Sequence, residues 1–343
     1  MKKTVALIFG GEGYERHISE LSAYNLFAMI DKSKYDLLKI GITDKGEWYF
    51  YGGGAEKIKS GEWRFDATHL SPTFPTLLCG KSGFLMADGV LTVDCAIPCL
   101  HGDFGEDGTV EGALTIAHIP YVGEDVYASA LTSDKIYTKL AAREVGIPQA
   151  DFIVSQNEPV DEAKRRAEEM LGYPMFIKPA RLGSSIGAHP IYTDAQFQEA
   201  FCDAKRHAER LLIEKLVSFE YELECAFVNI DGPRIIPDGV IANGGKFYDF
   251  ETKYEKMGAA PEKDVPSAVK ARVADYTRAL ASLIGIRALS RFDFFVTREG
   301  KLYFNEVNAF PGMTETSLFP RLTENAGLLR GEFINRLIES VIS

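Results

Sequence analysis

Along the first third of the chain, the spacing of apolar and polar positions marks strand-like stretches that alternate with helix-like ones. The stretches "TVALIFGG", "YDLLKIGIT" and "LTVDCAIPCLHG" are short apolar runs, whereas "ISELSAYNLFAMI" has helical spacing. Strands that alternate with helices indicate a parallel sheet, and such sheets bind ligands at the carboxyl ends of their strands. The pattern therefore predicts an α/β domain over residues 1–123.

Beyond this region the pattern changes twice. "LTSDKIYTKLAAREVG" predicts a helix with Thr132 or Ser133 as its N-cap and Gly146 at its end. A charged helix, "VDEAKRRAEEMLG", and a strand, "PMFIKPA", follow, and the chain then becomes rich in strands. A polar loop at about residues 244–265 interrupts the strands, and helices finish the chain. We expect a second domain over residues 124–213 and a third over 214–343.

Two strands near the end of the chain, "RFDFFV" and "KLYFNEVN", flank the turn sequence "TREG" and predict a hairpin. Folding at residues 299–300 sets Asp293 opposite Glu306 and Arg291 opposite Asn308. Carboxylate and amide oxygens are ligands that Mg²⁺ prefers. A solvated face with an Arg–Asp pair is the alternative, but the aromatic neighbours and the following "AFPGMT" favour a metal site.

A second motif, "PMFIKPARLGSSIGAHP", places Lys178 at the end of an apolar strand and before a Gly/Ser loop. Small residues let backbone N–H groups approach phosphates, and lysine adds a compact charge. A flexible loop with a surface lysine is the alternative. "PTLLCGKS" is no Walker loop, because Pro75 stands at the position of the first glycine. "GEGYER" is no dinucleotide fingerprint, because Arg16 replaces the last glycine.

Three weaker motifs have structural alternatives. "CLHGDFGEDGTVEG" puts His101 and several acids after a core strand, where ligand sites form or where a Gly-rich turn carries capping acids. Glu15 lies just past the first strand and is either a ligand group or a helix-start acid. "LIEKLVSFEYELE" places Lys215 where it could meet an adenine edge, or else on a charged edge strand.

Composition excludes several classes of protein. The net charge of −11 argues against a general nucleic-acid binder, which needs a basic surface. No apolar stretch is long enough to span a membrane, and the apolar run in "MKKTVALIFGG" is too short for a signal peptide. The cysteines are scattered, and those at positions 95 and 99 are expected to be buried free thiols. These features predict a cytoplasmic protein.

Together, "HGDFGEDG", "KPARLGSSIG" and "NEVNAFPGMT" resemble the D-alanine–D-alanine ligases, a family of the ATP-grasp superfamily. The resemblance runs over nearly the whole chain. It implies an α/β protein with an ATP-grasp fold preceded by an N-terminal parallel-sheet domain, with ATP held between the last two domains.

The resemblance also implies site residues. The ATP-binding positions would be Lys135, Lys178, Ser185, Glu214, Lys215, Val217, Glu222 and Lys253, with Glu220 or Glu224 as alternatives to Glu222 at the ribose. The ligands of a pair of Mg²⁺ ions, or of Mn²⁺ in their place, would be Asp293, Glu306 and Asn308. The catalytic positions would be Glu15, Ser184, Tyr254, Arg291 and Gly312, and the substrate pocket would include His101, Ser317 and Leu318.

The implied reaction joins two D-alanine molecules through an acyl phosphate, for peptidoglycan precursor synthesis, under a lid at about residues 244–265. The family also implies a homodimer. Glu315 and Thr316 depart from the usual family residues near the second-substrate pocket, and so do Ser133 and Glu111 elsewhere. Leu318 differs from the arginine often seen in D-serine-type relatives. D-Alanine is favoured as the acceptor, with D-serine, another ATP-grasp substrate pair or a non-catalytic ATP-binding protein as alternatives.

Overall fold

The computed structural model describes residues 2–241 and 264–342. The first sheet has five strands in the order β4-β3-β2-β1-β8, in which β1 runs parallel to its neighbours β2 and β8, and the β2–β3 and β3–β4 pairs are antiparallel. Its strands are β1 (Lys3–Gly10), β2 (Tyr35–Ile42), β3 (Trp48–Tyr51), β4 (Leu70–Pro72) and β8 (Cys95–Pro98). The parallel part of this sheet agrees with the alternation of strands and helices in the sequence.

Helices and a small sheet complete this N-terminal region. The helices are α1 (Arg16–Met29), α2 (Glu56–Lys59) and α3 (Thr109–Ile116), and two short 3-10 helices cover Glu62–Phe65 and Ala67–His69. The small antiparallel sheet contains β5 (Pro75–Leu78), β6 (Lys81–Met86) and β7 (Gly89–Thr92). The stretch "LTVDCAIPCLHG" is therefore divided between β7 and β8 rather than forming one strand.

The second sheet is antiparallel, with the order β11-β10-β12-β9. Its strands are β9 (Phe152–Gln156), β10 (Met175–Pro179), β11 (His189–Ile191) and β12 (Arg210–Lys215). Helices α6 (Val160–Met170) and α7 (Asp194–His207) pack on it around a separate apolar core. The sequence starts α7 with a capping box, in which Thr193 and Gln196 bond each other's backbone N–H groups.

The third sheet carries the predicted hairpin and has the order β14-β13-β15-β16. Its strands are β13 (Tyr221–Asn229), β14 (Pro233–Ile241), β15 (Leu289–Val296) and β16 (Leu302–Asn308), and α8 (Ser267–Ile284) packs against it. The register pairs Arg291 with Asn308 and Asp293 with Glu306, as the alternation predicts. Phe294 then pairs with Phe304, which leaves Asn305 as the extra residue of a β-bulge.

The expected helix cap is wrong. The region contains two helices, α4 (Val126–Ser133) and α5 (Lys135–Glu144), and Asp134 between them caps α5 by accepting a 3.0 Å hydrogen bond from the Ile136 N–H. Thr132 donates back to carbonyls within α4, so its hydroxyl serves the preceding helix. Gly146 does follow the end of α5, with a left-handed φ of 69°.

The last helices join the N-terminal sheet to the third sheet. They are α9 (Leu318–Asn325) and α10 (Arg330–Ile342). One apolar core contains side chains of β1 and α1 together with Phe319 and Leu322 of α9 and Phe333 of α10. Loops at the ends of both sheets are thereby held side by side. Across the described parts of the chain, no helix is both long and apolar enough to cross a membrane.

Candidate functional site

A cavity of about 410 Å³ lies between the second and third sheets. Apolar side chains such as Phe176, Phe219, Phe295 and Phe304 form much of its wall. Its polar lining includes Lys135, Lys139, Lys178, Ser184, Ser185, Glu214, Lys215, Glu222, Asn305 and Glu306. A mostly apolar cavity with convergent polar groups is typical of a small-molecule site.

A buried cluster of charges lies at the inner wall of this cavity. Glu214 accepts from Lys139 at 2.6 Å and from Lys178 at 2.8 Å, and Lys178 also donates to Asn305 at 3.1 Å. Burial alone would raise the pKa of Glu214, but the two ammonium groups hold it below its usual range. Two lysines share this carboxylate, and burial lowers the pKa of Lys139 although Glu214 favours the charged form of that lysine. Lys178 is therefore the lysine of this cluster that can turn towards an anionic ligand.

The hairpin patch is built around Asp293. Arg291 donates to both carboxylate oxygens of Asp293, at 2.8 and 2.7 Å, and the Asn308 amide donates to one of them at 3.1 Å. Arg291 also lies 3.4 Å from a Glu224 oxygen. Burial opposes the charge of Arg291, but Asp293 and Glu224 hold its pKa well above the usual range. The guanidinium therefore stays charged at any working pH.

The residues predicted to bind Mg²⁺ lie on neighbouring positions of this hairpin. Asp293 and Glu306 are register partners, and Asn308 follows on the same strand. Lys135 lies 3.6 Å from a Glu306 oxygen and balances that carboxylate. Within the described residues no group of three or more His, Cys, Asp or Glu side chains could hold a metal. A donor set of two carboxylates and one amide oxygen nevertheless fits a hard cation that shares its remaining ligands with phosphate and water.

The Gly/Ser loop brings the second sheet to the N-terminal region. Ser184 donates to Glu15, and a Cβ at Gly183 would lie 2.8 Å from a Glu15 oxygen, so a side chain there would push the Glu15 carboxylate aside. Ser184 and Ser185 have left-handed φ values of 51° and 60°, a conformation that costs on the order of 1 kcal/mol each. The loop is thus held in a strained shape in contact with Glu15.

The base of this loop is anchored by ion pairs and a backbone carbonyl. Asp134, fully buried, accepts from Arg181 at 3.2 Å and from Arg210 at 2.8 Å. Lys135 donates to the Leu182 carbonyl at 2.7 Å. The residue that caps α5 therefore also fixes the start of the predicted phosphate loop.

His101 and the turn after β16 meet beside the middle of α1. The Ser22 hydroxyl accepts from the Met313 N–H at 3.0 Å and lies 3.5 Å from His101 Nε2. Asn25 donates to the Met313 carbonyl at 3.1 Å. Gly312 is therefore held beside the N-terminal region by its neighbour Met313.

The predicted substrate-pocket residues Ser317 and Leu318 follow this turn. Ser317 accepts from the Thr314 N–H at 3.1 Å, which closes the turn before α9. Leu318 packs its partly buried side chain on the apolar core beneath.

The residues that follow β12 form a largely apolar part of the cavity wall. Val217 lines it, and Phe219 stacks on Phe295 with ring centroids 4.6 Å apart. Lys215 donates its ammonium protons to the carbonyls of Gly172 and Tyr173 at 3.0 and 2.9 Å.

The three glutamates considered as ribose-binding residues lie in different surroundings. Glu222 lines the cavity, whereas Glu224 is buried beside Arg291. The backbone N–H of Glu220 bonds the Val296 carbonyl at the end of β15. Lys253, Tyr254 and the lid expected at about 244–265 lie outside the described residues up to position 263.

Sequence reasoning missed Lys139, Asn305 and Ser22 as members of the site. Lys139 follows Lys135 by four residues on one face of α5, a spacing that the sequence does contain. Asn305 reaches Lys178 from the β-bulge, and Ser22 reaches Met313 across 291 positions of sequence. Neither of these last contacts has a local sequence signal.

Comparisons with known proteins follow the same division of the chain. The family model described as "D-ala D-ala ligase N-terminus" matches residues 4–124, and "D-ala D-ala ligase C-terminus" matches residues 141–339. A "D-alanine--D-alanine ligase" of Thermoanaerobacter sp. (strain X514) is 36% identical over 355 aligned positions, covering 99% of this chain and 97% of the relative.

Solved structures resemble the chain over its whole length. The VanG D-Ala:D-Ser ligase from Enterococcus faecalis has a TM-score of 0.88 at 31% identity and covers 100% of both chains. The D-alanine-D-alanine ligase from Coxiella burnetii has a TM-score of 0.87 at 26% identity, covering 99% of this chain and 94% of its own.

Proposed function

The chain belongs to the D-alanine–D-alanine ligase family, and from this premise we propose that it joins two D-alanine molecules into D-alanyl-D-alanine at the expense of ATP, for peptidoglycan precursor synthesis. The observation that carries the proposal is the meeting of Lys178, Arg291 and the Asp293–Glu306 pair along one wall of the site. Phosphoryl transfer from ATP to a carboxylate brings two anions together. The two cationic side chains and the two expected metal ligands are suited to reducing that repulsion.

The ATP would occupy the cavity between the second and third sheets. Its adenine would lie in the apolar end near Val217 and the Phe219–Phe295 stack, with Glu222 at the ribose. Lys135, Lys178 and the backbone at Ser184–Ser185 would hold the phosphates. Lys178 can turn from Glu214 to a phosphate because Lys139 remains to neutralise that carboxylate.

In the first step, the carboxylate of one D-alanine attacks the γ-phosphorus of ATP, which forms an acyl phosphate and releases ADP. Lys178 and Arg291 reduce the repulsion between the two anions. Asp293, Glu306 and Asn308 would hold Mg²⁺, or Mn²⁺ in its place, and when bound the metal neutralises negative charge on the phosphates. Glu15, with Ser184 as its partner, would receive the ammonium group of this D-alanine.

In the second step, the neutral amine of the other D-alanine attacks the acyl carbon, the C–O bond to phosphate breaks, and the proton lost by the nitrogen passes to the departing phosphate or to water. The tetrahedral oxyanion would take hydrogen bonds from Arg291 and from the Gly312 N–H. His101, Ser317 and Leu318 would border the acceptor. We also assign to Tyr254, Lys253 and the segment at about 244–265 the role of a lid that excludes water, which would otherwise hydrolyse the acyl phosphate.

D-Serine is the second candidate acceptor, because the VanG D-Ala:D-Ser ligase has a similar fold over the full chain length. Leu318 favours D-alanine, since a leucine side chain offers a serine hydroxyl no hydrogen-bond partner. A substrate panel separates the two. Purified protein with ATP, Mg²⁺ and D-alanine is given D-alanine alone, D-serine or D-lactate as acceptor, and the products are identified by mass spectrometry. D-Alanyl-D-serine as the dominant product at equal acceptor concentrations would overturn the choice of D-alanine.

A cytoplasmic location follows from the use of ATP and agrees with the free thiols of Cys95, Cys99 and Cys225.

A homodimer is also part of the proposal. Size-exclusion chromatography with light scattering tests it, and a mass near 38.0 kDa at micromolar concentration would contradict it.

A further inference from the structure

A buried glutamate joins the N-terminal region to the strand that carries Arg291 and Asp293. Glu124 lies just before α4, is only 2% exposed, and accepts hydrogen bonds from three consecutive backbone N–H groups. The donors are Arg287 at 2.5 Å, Ala288 at 3.1 Å and Leu289 at 3.0 Å. Leu289 is the first residue of β15. The Glu124 carboxylate thus accepts hydrogen bonds from the backbone at the point where β15 begins.

The surrounding contacts support the same junction. The Arg287 guanidinium donates to the Gly123 carbonyl at 3.0 Å and lies over the Tyr121 ring, 4.9 Å from its centroid. Successive N–H groups that converge on one anion form a strong, directional contact. Burial raises the pKa of Glu124 to about 7, so the carboxylate is retained in this position at an energetic cost.

The position of this contact connects two parts of the proposed site. Glu15 and His101 belong to the N-terminal region, whereas Arg291 and Asp293 lie two and four residues beyond Leu289 on β15. The first D-alanine would contact both parts, with its amine at Glu15 and its carboxylate at Arg291. Among the described residues, those lining the ATP cavity begin at Lys135, and none of them belongs to the N-terminal region.

We propose that Glu124 is a positioning residue, which sets the distance between the amino-acid-binding N-terminal region and the strand bearing Arg291 and Asp293. This inference rests on the proposed function for its kinetic consequence, but the contact can be tested without turnover. A misplacement of the order of 1 Å at a reacting group lowers the rate by about 100-fold. Loss of the contact should therefore affect D-alanine more than ATP.

Glu124→Gln is the central variant. Its amide oxygen can still accept from two N–H groups, but its NH₂ group faces the third donor, so the three-fold contact is lost with little change in volume. We expect kcat/KM for D-alanine to fall by about 10- to 100-fold, while KM for ATP stays within about twofold. Glu124→Asp keeps the carboxylate but shortens its reach, and its activity should fall between wild type and Glu124→Gln.

Glu339→Gln is the matched control. Glu339 also joins distant parts of the chain, through Lys34 at 2.8 Å, but half of its side chain is exposed and it lies outside the site. The same acid-to-amide change there should leave both substrates' constants unchanged. Parallel loss of D-alanine and ATP affinity in Glu124→Gln, or unchanged kinetics, would overturn the positioning role.

Hydrogen–deuterium exchange tests the contact without requiring catalytic activity. In Glu124→Gln, amides of residues 287–293 should exchange at least about tenfold faster than in wild type, and those of β10 and β12 should not change. Unchanged exchange at 287–293 would refute the contact's role. Wild-type protein that shows no D-alanine-dependent turnover would instead refute the proposed function, and the exchange data would still decide the inference.

Discussion

Asp293 and Glu214 show how single residues keep charge inside this protein. A buried carboxylate is costly unless ion pairs or hydrogen bonds compensate it. Asp293 has a bidentate arginine and an asparagine amide, and Glu214 has two lysines. These partners are cations or hydrogen-bond donors, which are also the groups that bind phosphate. The residues that make burial tolerable are therefore the same residues that the proposed reaction needs.

Glu306→Gln should lower turnover by about 100-fold or more and raise the Mg²⁺ concentration needed for half-maximal rate. The variant keeps the side-chain volume but removes one of the carboxylate charges expected to attract the metal. Phosphate release measured over a Mg²⁺ series checks this. The control is Glu299→Gln in the turn of the same hairpin, which should match wild type. A Glu306→Gln enzyme with the wild-type Mg²⁺ dependence would contradict the metal assignment.

Glu111 is a buried carboxylate without such compensation. It lies in the first turn of α3, is 5% exposed, and one of its oxygens, Oε2, has no hydrogen-bond partner. Burial raises its pKa to about 8 from an ordinary value of 4.5. Between these values the native state holds a proton that the unfolded state releases, so this group makes stability fall as pH rises.

Glu111→Gln removes this titration and should stabilise the protein increasingly at higher pH. The advantage in free energy of unfolding over wild type should grow by about 1–2 kcal/mol between pH 6 and pH 8. Urea denaturation at both pH values measures it. The exposed Glu199→Gln on α7 is the control and should show no such trend. A constant difference between Glu111→Gln and wild type at the two pH values would show that Glu111 does not titrate in this range.

At the scale of elements, the site depends on a hairpin and a strained loop. Alternation within each strand and a turn at residues 299–300 allow Asp293 and Glu306 to be paired from the sequence alone, and the structure contains this pair. The β-bulge at Asn305 was not predicted, because the pairing was set by a turn at residues 299–300, whereas the pairs nearer the turn are shifted by one residue in β16. The cap at Asp134 was missed because neighbouring Thr132 and Ser133 are equally good cap residues by type.

Gly183→Ala tests how tightly the Gly/Ser loop fits against Glu15. The added Cβ would lie 2.8 Å from a Glu15 oxygen and should displace the carboxylate from Ser184. We expect KM for D-alanine to rise by about tenfold, measured by initial rates at saturating ATP. Gly112→Ala on α3, where a Cβ meets nothing within 4 Å, is the control and should leave KM unchanged. Equal KM values for Gly183→Ala and wild type would count against a role for this contact.

At the scale of the whole molecule, the fold class was predictable and the junctions between its parts were not. The three motifs indicated the ATP-grasp fold and the ligase family, and the family models and solved structures confirm both. The domain boundaries and the roles of individual site residues stay predictions. Contacts such as Ser22–Met313 and Glu124–Arg287 join positions 291 and 163 residues apart, and such pairs follow from the packing of sheets rather than from any local pattern.

Product formation from D-alanine is the decisive test of the proposed ligase activity. Purified protein is incubated with ATP, Mg²⁺ and D-alanine, and ADP, phosphate and D-alanyl-D-alanine are quantified in the same samples. We expect all three to form in equal amounts, and omission of D-alanine or chelation of Mg²⁺ to abolish them, as the proposed ligase activity requires. ATP hydrolysis that is independent of D-alanine, or no D-alanyl-D-alanine under any of these conditions, would contradict it.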